Sequence, residues 1–390
     1  MKEGVKMEVK QIYSIINEVT KELLGKEGLV TEDLSNIVDV GTEVFSSSSV
    51  DNYVKSLINQ IGKMVFVNRA YAGSAPSVLM DGWEYGSVCE KVTAELPEAS
   101  ENESWELVDN TSYDPNVFHK PIVSAKFFNK KVTFEIEMSF AEMQARESFN
   151  SAMQLNAFMS MLYSQIDKSM TIKLDALIMR TINNMTGTTI KAEFGSNALS
   201  SGSHVKAVNL LYLYNQTFSQ NLTTTNCIYD KDFIRFAVYT MGMYKSRMNK
   251  VSSLFNIGGK DRFTPNDLLH IVLLADFSSA ADVYLQSDTF HNELTKLPNY
   301  ETVPCWQGTG TDFGFTNTSK VNIKTVAGDT INTSGVLGVM FDRDALGVTN
   351  MNRRVTTNYN PKGEFFNNWY KMDAGYFNDT NENFVVFFVA

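Results

Sequence analysis

The chain has 390 residues, 43% of them hydrophobic and 12% aromatic, and a formal net charge of -10. This much apolar material supports well-filled cores in two or more domains and excludes a globally disordered chain. The balance of 34 Lys and Arg against 44 Asp and Glu, with no visible cluster of cations, excludes a protein that binds DNA or RNA strongly by itself. With no secretion signal and no run of about 18 apolar residues, the sequence predicts a protein made in a cytosol without membrane contact.

The sequence has no motif typical of catalysis, of a cofactor or of a metal site. Its three cysteines form no CxxC pair, and its four histidines have no spacing that suggests a shared metal. These residues are Cys89, Cys227, Cys305, His119, His204, His270 and His291. The segment NIGGKDR resembles a phosphate loop, but Leu254 and Asp261 occupy the positions where that loop requires Gly and Ser or Thr. We therefore predict no catalytic residue, no cofactor and no bound metal.

The first 62 residues predict short amphipathic helices joined by polar hinges. Apolar residues between Val9 and Leu24, and again between Val50 and Ile61, recur at the three-and-four spacing of one helical face. The serine run 46–49 is a flexible hinge between them. Two interpretations stay open, because short helices bury little surface by themselves. The helices pack on their own domain, or they form an arm that packs on a neighbouring subunit.

Residues 63–131 predict a long extended hairpin, because short apolar clusters are broken here by Gly, Pro, Asn and acidic residues. Acidic side chains crowd the segment between Glu95 and Asp109. A calcium loop requires an ordered ladder of Asp and Asn with a fixed Gly and a final Glu, and that order is missing. We interpret 95–109 as a solvated acidic loop.

The segment 132–138 predicts a strand with one dry face. Its even-numbered residues are apolar and its odd-numbered residues are polar, which is the pattern of a half-buried strand. Ser139 and Glu142 then form an S-x-x-E capping box. We therefore expect the strand to end at Ser139, where a helix begins.

A long helix is predicted between Leu155 and Met185, closed by Gly187. Apolar residues recur along this stretch at helical spacing, and roughly thirty residues make a rod of about 45 Å. The spacings drift toward 3.6 residues and do not keep a heptad register, which disfavours a coiled coil. A spine lying across a sheet fits the pattern better than a coiled coil or a core helix.

Residues 198–345 predict a mixed α/β unit inserted into one continuous body. Helical patterns at 205–218 and 233–248 alternate with the strand-like segments TTNCIYD, HIVLLADF and YETVPCW. At the end of the unit, an apolar run leads into Asp342, Arg343 and Asp344. A magnesium site would need a phosphate loop as well, so we interpret these three residues as a turn and a salt-bridge set.

The chain ends in NENFVVFFVA, in which the residues from 384 onward carry no charge. Chain ends usually fray into water, so this segment requires a covered place. Phe384, Val386 and Phe388 would share one face of a strand, and the alternate residues would share the other. We expect both faces to be buried.

This order of parts resembles tailed-bacteriophage major capsid proteins with the Hong Kong 97-like fold. The resemblance is carried by GVLGVMFDRDALGV, followed by RRVTTNYNP, FFNNWYKMDAGYF and ENFVVFFVA, and by the succession of parts along nearly the whole chain. It implies an α+β fold in which a sheet carries a long spine helix. Its implied parts are an N-terminal arm (1–62), an extended loop (63–131), a peripheral domain (132–197 and 346–390) and an inserted α/β axial domain (198–345).

The resemblance also implies a structural and non-enzymatic role. Such a protein self-assembles, as hexamers and pentamers, into the icosahedral shell around packaged double-stranded DNA, with weak or no specific contact to that DNA. Scaffolding and portal proteins are its implied partners. Its implied location is the virion, and the host cytoplasm during assembly. In such a body, the closing strand would pair beside a strand like 132–138.

Two alternatives stay open at the level of the sequence. An encapsulin-like compartment shares the fold and would enclose a cargo enzyme, usually through a docking groove that the sequence does not locate. A metabolic α/β enzyme would require convergent residues with shifted pKa values in one cleft, and the sequence offers no such cluster.

Overall fold

The computed structural model describes residues 76–80, 89–97, 99, 101, 116, 118, 120–141, 152–196, 198–286, 300–307, 312–325 and 328–390. The predicted helices of residues 1–62, most of the acidic loop, and Glu142 lie outside these ranges. The helices are α1 (Ala152–Phe194), α2 (Leu210–Phe218), α3 (Lys231–Met248), α4 (Ala275–Gln286) and α5 (Phe315–Thr318). The strands are β1 (Leu79–Met80), β2 (Cys89–Ala94), β3 (Val123–Phe128), β4 (Lys131–Ala141), β5 (Ala207–Asn209), β6 (Leu269–Leu274), β7 (Glu301–Val303), β8 (Val321–Lys324), β9 (Thr330–Thr333), β10 (Val336–Asp342), β11 (Leu346–Asn360), β12 (Phe365–Asn378) and β13 (Phe384–Phe388).

The chain divides into two compact units. The first includes Lys131–Leu177 and Thr349–Gly375, and the second comprises Pro76–Lys130, Ile178–Val348 and Tyr376–Ala390. These limits differ from the domain boundaries predicted from the sequence, which stay a prediction.

A four-stranded sheet has the order β1-β11-β12-β4. β4 and β12 pair antiparallel without interruption, from Lys131 opposite Gly375 to Ala141 opposite Phe365. Side chains on β12 alternate between buried and half-buried, and those from 131 to 139 on β4 alternate between exposed and half-buried. The period-two pattern predicted for residues 132–138 is therefore confirmed, and it gives this sheet one drier face.

The predicted end of this strand at Ser139 is wrong. β4 continues through Ser139 to Ala141, and the hydroxyl of Ser139 donates a hydrogen bond to Oδ1 of Asn367 at 2.6 Å. A capping box is a local signal for a helix start. Here it is overridden because a strand of 11 residues gains ladder hydrogen bonds and cross-strand contacts along its whole length.

Helix α1 has 43 residues, which corresponds to about 65 Å, and it does not end at Gly187. The left-handed residue that follows it is Gly195, with φ of 62°, and the N–H of Gly195 donates to the carbonyl of Lys191 at 2.9 Å. Gly187 lies inside the helix and allows the β8–β9 pair to pack closely against it. A Cβ at this position would lie 3.0 Å from Cγ1 of Ile331 and 3.2 Å from Cδ1 of Ile323, so a larger residue would push the β8–β9 pair away.

A five-stranded sheet in the second unit has the order β5-β13-β10-β6-β7. β10 is antiparallel to both β13 and β6, whereas β13 is parallel to β5 and β6 is parallel to β7. Every residue of β10 and β13 is buried. Such continuous apolar runs are typical of strands covered on both faces.

Helices α2, α3 and α4 contribute to the core cluster that includes one face of this sheet. The side chain of Asn209 accepts a hydrogen bond from the N–H of Tyr212 at 3.1 Å and so caps α2, and Asp230 does the same for the N–H of Phe233 at 2.8 Å. The prediction of a strand at TTNCIYD is wrong, because Cys227–Tyr229 forms a 3₁₀ turn that leads into the Asp230 cap. Strands were correctly predicted within HIVLLADF and YETVPCW.

Candidate functional site

A polar junction in the second unit joins three segments that are far apart in the sequence. These segments are the β2–β3 hairpin, the turn after β10, and residues 379–383 just before β13. β2 and β3 pair antiparallel, with Cys89 opposite Phe128 and Ala94 opposite Val123. This pairing is in line with the predicted extended hairpin, although most of the connection between the strands lies outside the described ranges.

Two lysines face each other on the hairpin, and two acids neutralise them. Lys91 and Lys126 are directly opposite in the register, an arrangement that destabilises a strand pair when nothing compensates it. Asp379, with a side chain 1% exposed, lies 3.1 Å from Nζ of Lys91 and 2.8 Å from Nζ of Lys126. Glu382 accepts from Lys91 at 2.8 Å and from Nε of Arg262 at 3.3 Å. Because these acids are buried, the ion pairs are weakly screened by solvent.

The pKa values of this junction follow from its charges. Burial by itself would lower the pKa of Lys91. The pKa is nevertheless raised, because Lys91 donates hydrogen bonds to Glu382 and Asp379 and both acids are negatively charged. Burial would raise the pKa of Asp379, but hydrogen bonds from Lys126, from the N–H of Asn381 and from Lys91 lower it. Both charged forms are therefore stabilised in the fold.

The turn after β10 closes the junction from another side. Asp342 is buried, and its carboxylate accepts the N–H of Asp344 at 2.9 Å, which caps the 3₁₀ turn Arg343–Ala345. The carbonyl of Asp344 accepts from Nζ of Lys91 at 3.2 Å. Burial raises the pKa of Asp342, although hydrogen bonds from Asp344 and Thr264 work in the opposite direction. The predicted turn is present, and the predicted salt-bridge set among Asp342, Arg343 and Asp344 stays a prediction.

Backbone hydrogen bonds attach residues 379–383 to the surrounding chain. The N–H of Asp379 donates to the carbonyl of Ala345 at 2.7 Å, and the N–H of Asp342 donates to the carbonyl of Asn383 at 3.0 Å. Gly258 packs directly on this segment, since a Cβ on Gly258 would lie 2.1 Å from Oδ1 of Asn381. The position of the acids is thus set by the fold around them.

An aromatic contact accompanies the ion pairs. The rings of Phe128 on β3 and Phe377 on β12 have centroids 5.0 Å apart. Phe128 lies on the same face of the hairpin as Lys91 and Lys126, as the alternation along the paired strands requires. The inner face of the hairpin therefore combines charged and aromatic contacts.

The three predicted residues of the closing strand, Phe384, Val386 and Phe388, are buried, and so are their neighbours on the opposite face. The prediction that both faces are covered is confirmed. Phe384 stacks on Phe341 at 5.7 Å between centroids, and Phe388 meets the ring of Phe194 edge-on at 5.7 Å.

The predicted partner of the closing strand is wrong. β13 does not pair with the strand at 132–138 but lies between β10 and β5, with Val386 opposite Val339 and Ala207. β4 instead pairs with β12. Because β13 has two apolar faces and two paired edges, it gains more at the centre of a fully covered sheet than in a sheet with an exposed face.

The sequence analysis missed the residues that form the junction. Lys91, Lys126, Asp379, Glu382 and Arg262 are spread over more than 250 residues of sequence, so no spacing connects them. One local signal was present, since Glu382 and its two asparagine neighbours stand directly before an uncharged strand.

Within the described ranges, no group of three or more His, Cys, Asp or Glu side chains could hold a metal ion. Among the helices in those ranges, none combines the length and the apolar character of a membrane span.

The comparison with protein families decides the class of this protein. The model of the Phi29-like phage major capsid protein family matches residues 16–388. The chain belongs to this family. It is therefore a structural subunit of a phage capsid shell, as the resemblance in the sequence implied. No curated protein matches this capsid protein significantly.

The solved capsid of a Staphylococcus phage shows that this mixed helix and sheet fold occurs in another phage capsid. The capsid of Staphylococcus phage Andhra has a TM-score of 0.51 and 10% identity, and the alignment covers 83% of this chain and 86% of that chain. A structure of the head fiber and inner core protein of bacteriophage P68 has a TM-score of 0.48, 9% identity, and coverage of 83% and 86%. The capsid of cyanophage P-SCSP1u has a TM-score of 0.43, 10% identity, and coverage of 83% and 90%. At these identities the likeness concerns the fold alone.

Proposed function

We propose that this capsid protein assembles, as hexamers and pentamers, into an icosahedral shell that encloses double-stranded DNA. The observation that carries this proposal is the family match over residues 16–388. Copies of the chain are the main partner, and scaffolding and portal proteins act during assembly in the host cytoplasm. The completed shell is part of the virion.

We further propose the Hong Kong 97-like division of labour within the subunit. Residues 1–62 form an arm, 63–131 the extended loop, 132–197 and 346–390 the peripheral domain, and 198–345 the axial domain. The covered five-stranded sheet gives the second unit a firm core. Contacts between copies are then many and individually weak, and multivalency stabilises the closed shell.

The charge of the protein fits a container that releases its contents. A net charge of -10 gives little attraction to phosphates, because affinity for DNA depends on clustered cations that displace counterions. On the hairpin, Lys91 and Lys126 are already paired with Asp379 and Glu382. These two lysines are therefore structural, which fits a shell that encloses DNA without specific contacts.

The polar junction gives the hairpin one defined orientation in this proposal. A two-stranded hairpin is marginally stable by itself, so its base requires support from the rest of the chain. The Lys91 and Lys126 ion pairs and the Phe128–Phe377 contact provide that support. The role of this charge cluster is to hold one segment against another, in line with the structural role of the family.

Negative-stain microscopy of the purified, tag-free protein tests the proposal, with light scattering on the same sample. We expect closed shells or capsomer rings, and nucleic acid inside shells that are recovered from infected cells. A uniform monomer or dimer at high concentration, with candidate scaffolding proteins added, would contradict the proposed self-assembly.

A further inference from the structure

Strand β4 lies at one end of the four-stranded sheet, with β12 on one side. Within the described ranges, nothing pairs with its other edge. The strand has 11 residues, about 36 Å at 3.3 Å per residue. A long edge of this kind presents a row of backbone N–H and C=O groups that can pair with another strand.

This edge lacks three of the features that usually prevent pairing with another chain, namely a proline, a bulge and an inward-pointing charge. Its sequence, KVTFEIEMSFA, contains no proline, and its register with β12 shows no bulge. Its charged side chains Lys131, Glu135 and Glu137 all lie on the exposed face. No charge points into the drier face, where it would oppose a second strand.

The charges favour one register when β4 pairs antiparallel with β4 of a second copy. In such a pair, the drier faces of the two strands must lie on the same side of the joined sheet. Each residue is therefore opposite itself or a residue that is an even number of positions away in the sequence. A register centred on Phe134 puts Lys131 opposite Glu137 at both ends, with Thr133 opposite Glu135. On the drier face Val132 meets Ile136. Opposite charges directly across a strand pair are stabilising.

The neighbouring registers are less favourable. Centring the pair on Ile136 gives the longest overlap, but it puts Glu135 opposite Glu137 twice. Centring it on Glu135 or on Glu137 puts that carboxylate opposite itself. A register centred on Thr133 puts Lys131 opposite Glu135, but Glu135 is already paired with Lys371 at 3.0 Å, and the overlap is shorter. Like charges directly opposite are destabilising, so electrostatics selects Phe134 as the centre.

We propose that β4 is an assembly edge that pairs antiparallel with β4 of a second copy around a twofold axis at Phe134, which joins two four-stranded sheets into one. The contact is isologous, because the same strand supplies both sides. This inference rests on the proposed self-assembly and names one of its contacts. The partner at this edge is a second copy of this chain, since the charges of the strand are complementary to themselves in the register centred on Phe134.

A charge swap on the full chain tests the charges. We expect Glu137→Lys to lower the yield of particles about ten-fold or more, because each twofold contact exchanges two attractions for two repulsions and a shell repeats that contact many times. Lys131→Glu should act similarly. The double variant Lys131→Glu/Glu137→Lys restores the two attractions and should restore particle yield. Circular dichroism of the unassembled chains checks that every variant is folded.

Cross-linking tests the register. In a chain with Cys89→Ser, Cys227→Ala and Cys305→Ser, the pair Thr133→Cys/Glu135→Cys places two thiols opposite two thiols of the second copy. Directly opposite Cβ atoms are about 4.5–5.5 Å apart, so mild oxidation should give a covalent dimer. The single variants Thr133→Cys and Glu135→Cys are the controls, because both keep Lys131 and Glu137. Neither should cross-link, since each thiol faces its own copy only in a register centred on its own position.

The outcomes separate this inference from the proposed function. Wild-type shells, a covalent dimer from the first pair and rescue by the charge swap support the inference. Wild-type shells without the dimer and without rescue overturn it and leave the shell proposal standing. If the wild-type protein forms no shells, the proposed function fails. In that case a covalent dimer of the Thr133→Cys/Glu135→Cys chain in solution supports the β4 contact, and its absence overturns it.

Discussion

The closing strand β13 and the base of the β2–β3 hairpin are attached to the same unit by different chemistry. β13 makes its contacts through apolar side chains that are all buried, and burial of one such side chain contributes about 1.5–3 kcal/mol. The hairpin is attached through Lys91 and Lys126, which pair with Asp379 and Glu382. The two attachments are adjacent in sequence, because Glu382 stands two positions before Phe384. Only the ionic attachment should respond to pH.

Removal of the closing strand should have the largest effect. Deletion of residues 384–390 separates β10 from β5 and uncovers the core beneath them, so we expect no soluble, assembly-competent protein. Solubility after expression, circular dichroism and negative-stain microscopy measure this. As the matched control, deletion of Ala390 alone removes its hydrogen bonds with Asn209 at 2.9 and 3.3 Å, which should cost about 1 kcal/mol. Normal particles from the longer deletion would contradict the role of β13.

A single buried ring on β13 should contribute more than any ring on the exposed face of the hairpin. Phe387 is fully buried and meets the ring of Tyr244 at 5.5 Å, so Phe387→Ala should lower the free energy of unfolding by about 3–5 kcal/mol. Phe127 on β3 is 64% exposed, and Phe127→Ala should change it by less than about 0.5 kcal/mol. Urea denaturation of both variants provides the measurement. Equal losses of unfolding free energy in the two variants would contradict the prediction that burial determines what each ring contributes.

Loss of the central acid of the junction should have an intermediate effect. Asp379→Asn leaves Lys91 and Lys126 opposite each other without their shared carboxylate, and should destabilise the protein by about 2–3 kcal/mol. Asp342→Asn is the control, because the amide oxygen still accepts the N–H of Asp344 and burial already disfavours the charged form. It should cost less than about 1 kcal/mol. Similar losses in the two variants would contradict the special role of Asp379.

A change of pH should have the smallest effect on stability, and it should affect the ionic attachment of the hairpin but not the apolar attachment of β13. The pKa of Asp379 is lowered from its ordinary 3.8, so its contribution is present above that value and is lost as pH falls through the lowered pKa. The pKa of Lys91 is raised from its ordinary 10.5, so its contribution is complete below that value and is lost as pH rises through the raised pKa. Both contributions are in place between these limits.

Urea midpoints from pH 3 to pH 9 measure the acid side of this window. Asp379→Asn should flatten the acid limb relative to the wild-type protein, because the titrating carboxylate is gone. Phe387→Ala should shift the whole curve downward and keep its shape. An unchanged acid limb in Asp379→Asn would show that other groups control acid stability.

Much of the local structure could be predicted from the sequence because periodicity reports burial. The alternation at 132–138 predicted β4, the apolar stripe after Leu155 predicted helix α1, and the uncharged end predicted a strand buried on both faces. Local signals failed where tertiary contacts were stronger. Ser139 lies inside a strand because β4 pairs along its full length with β12. Gly187 lies inside a helix, where Ile323 and Ile331 pack so closely that they leave little room for a side chain.

The sequence by itself thus determined the strand at 132–138, the long helix, the burial of the closing strand and, through the order of its parts, the class of capsid proteins. Only the tertiary structure decided which strands are neighbours. β13 carries apolar side chains on both faces, and this pattern is compatible with any covered position, so its place between β10 and β5 depended on the rest of the sheet. The junction of Lys91, Lys126, Asp379 and Glu382 was equally hidden, because charges distant in sequence form a salt bridge only when the fold brings them within about 4 Å.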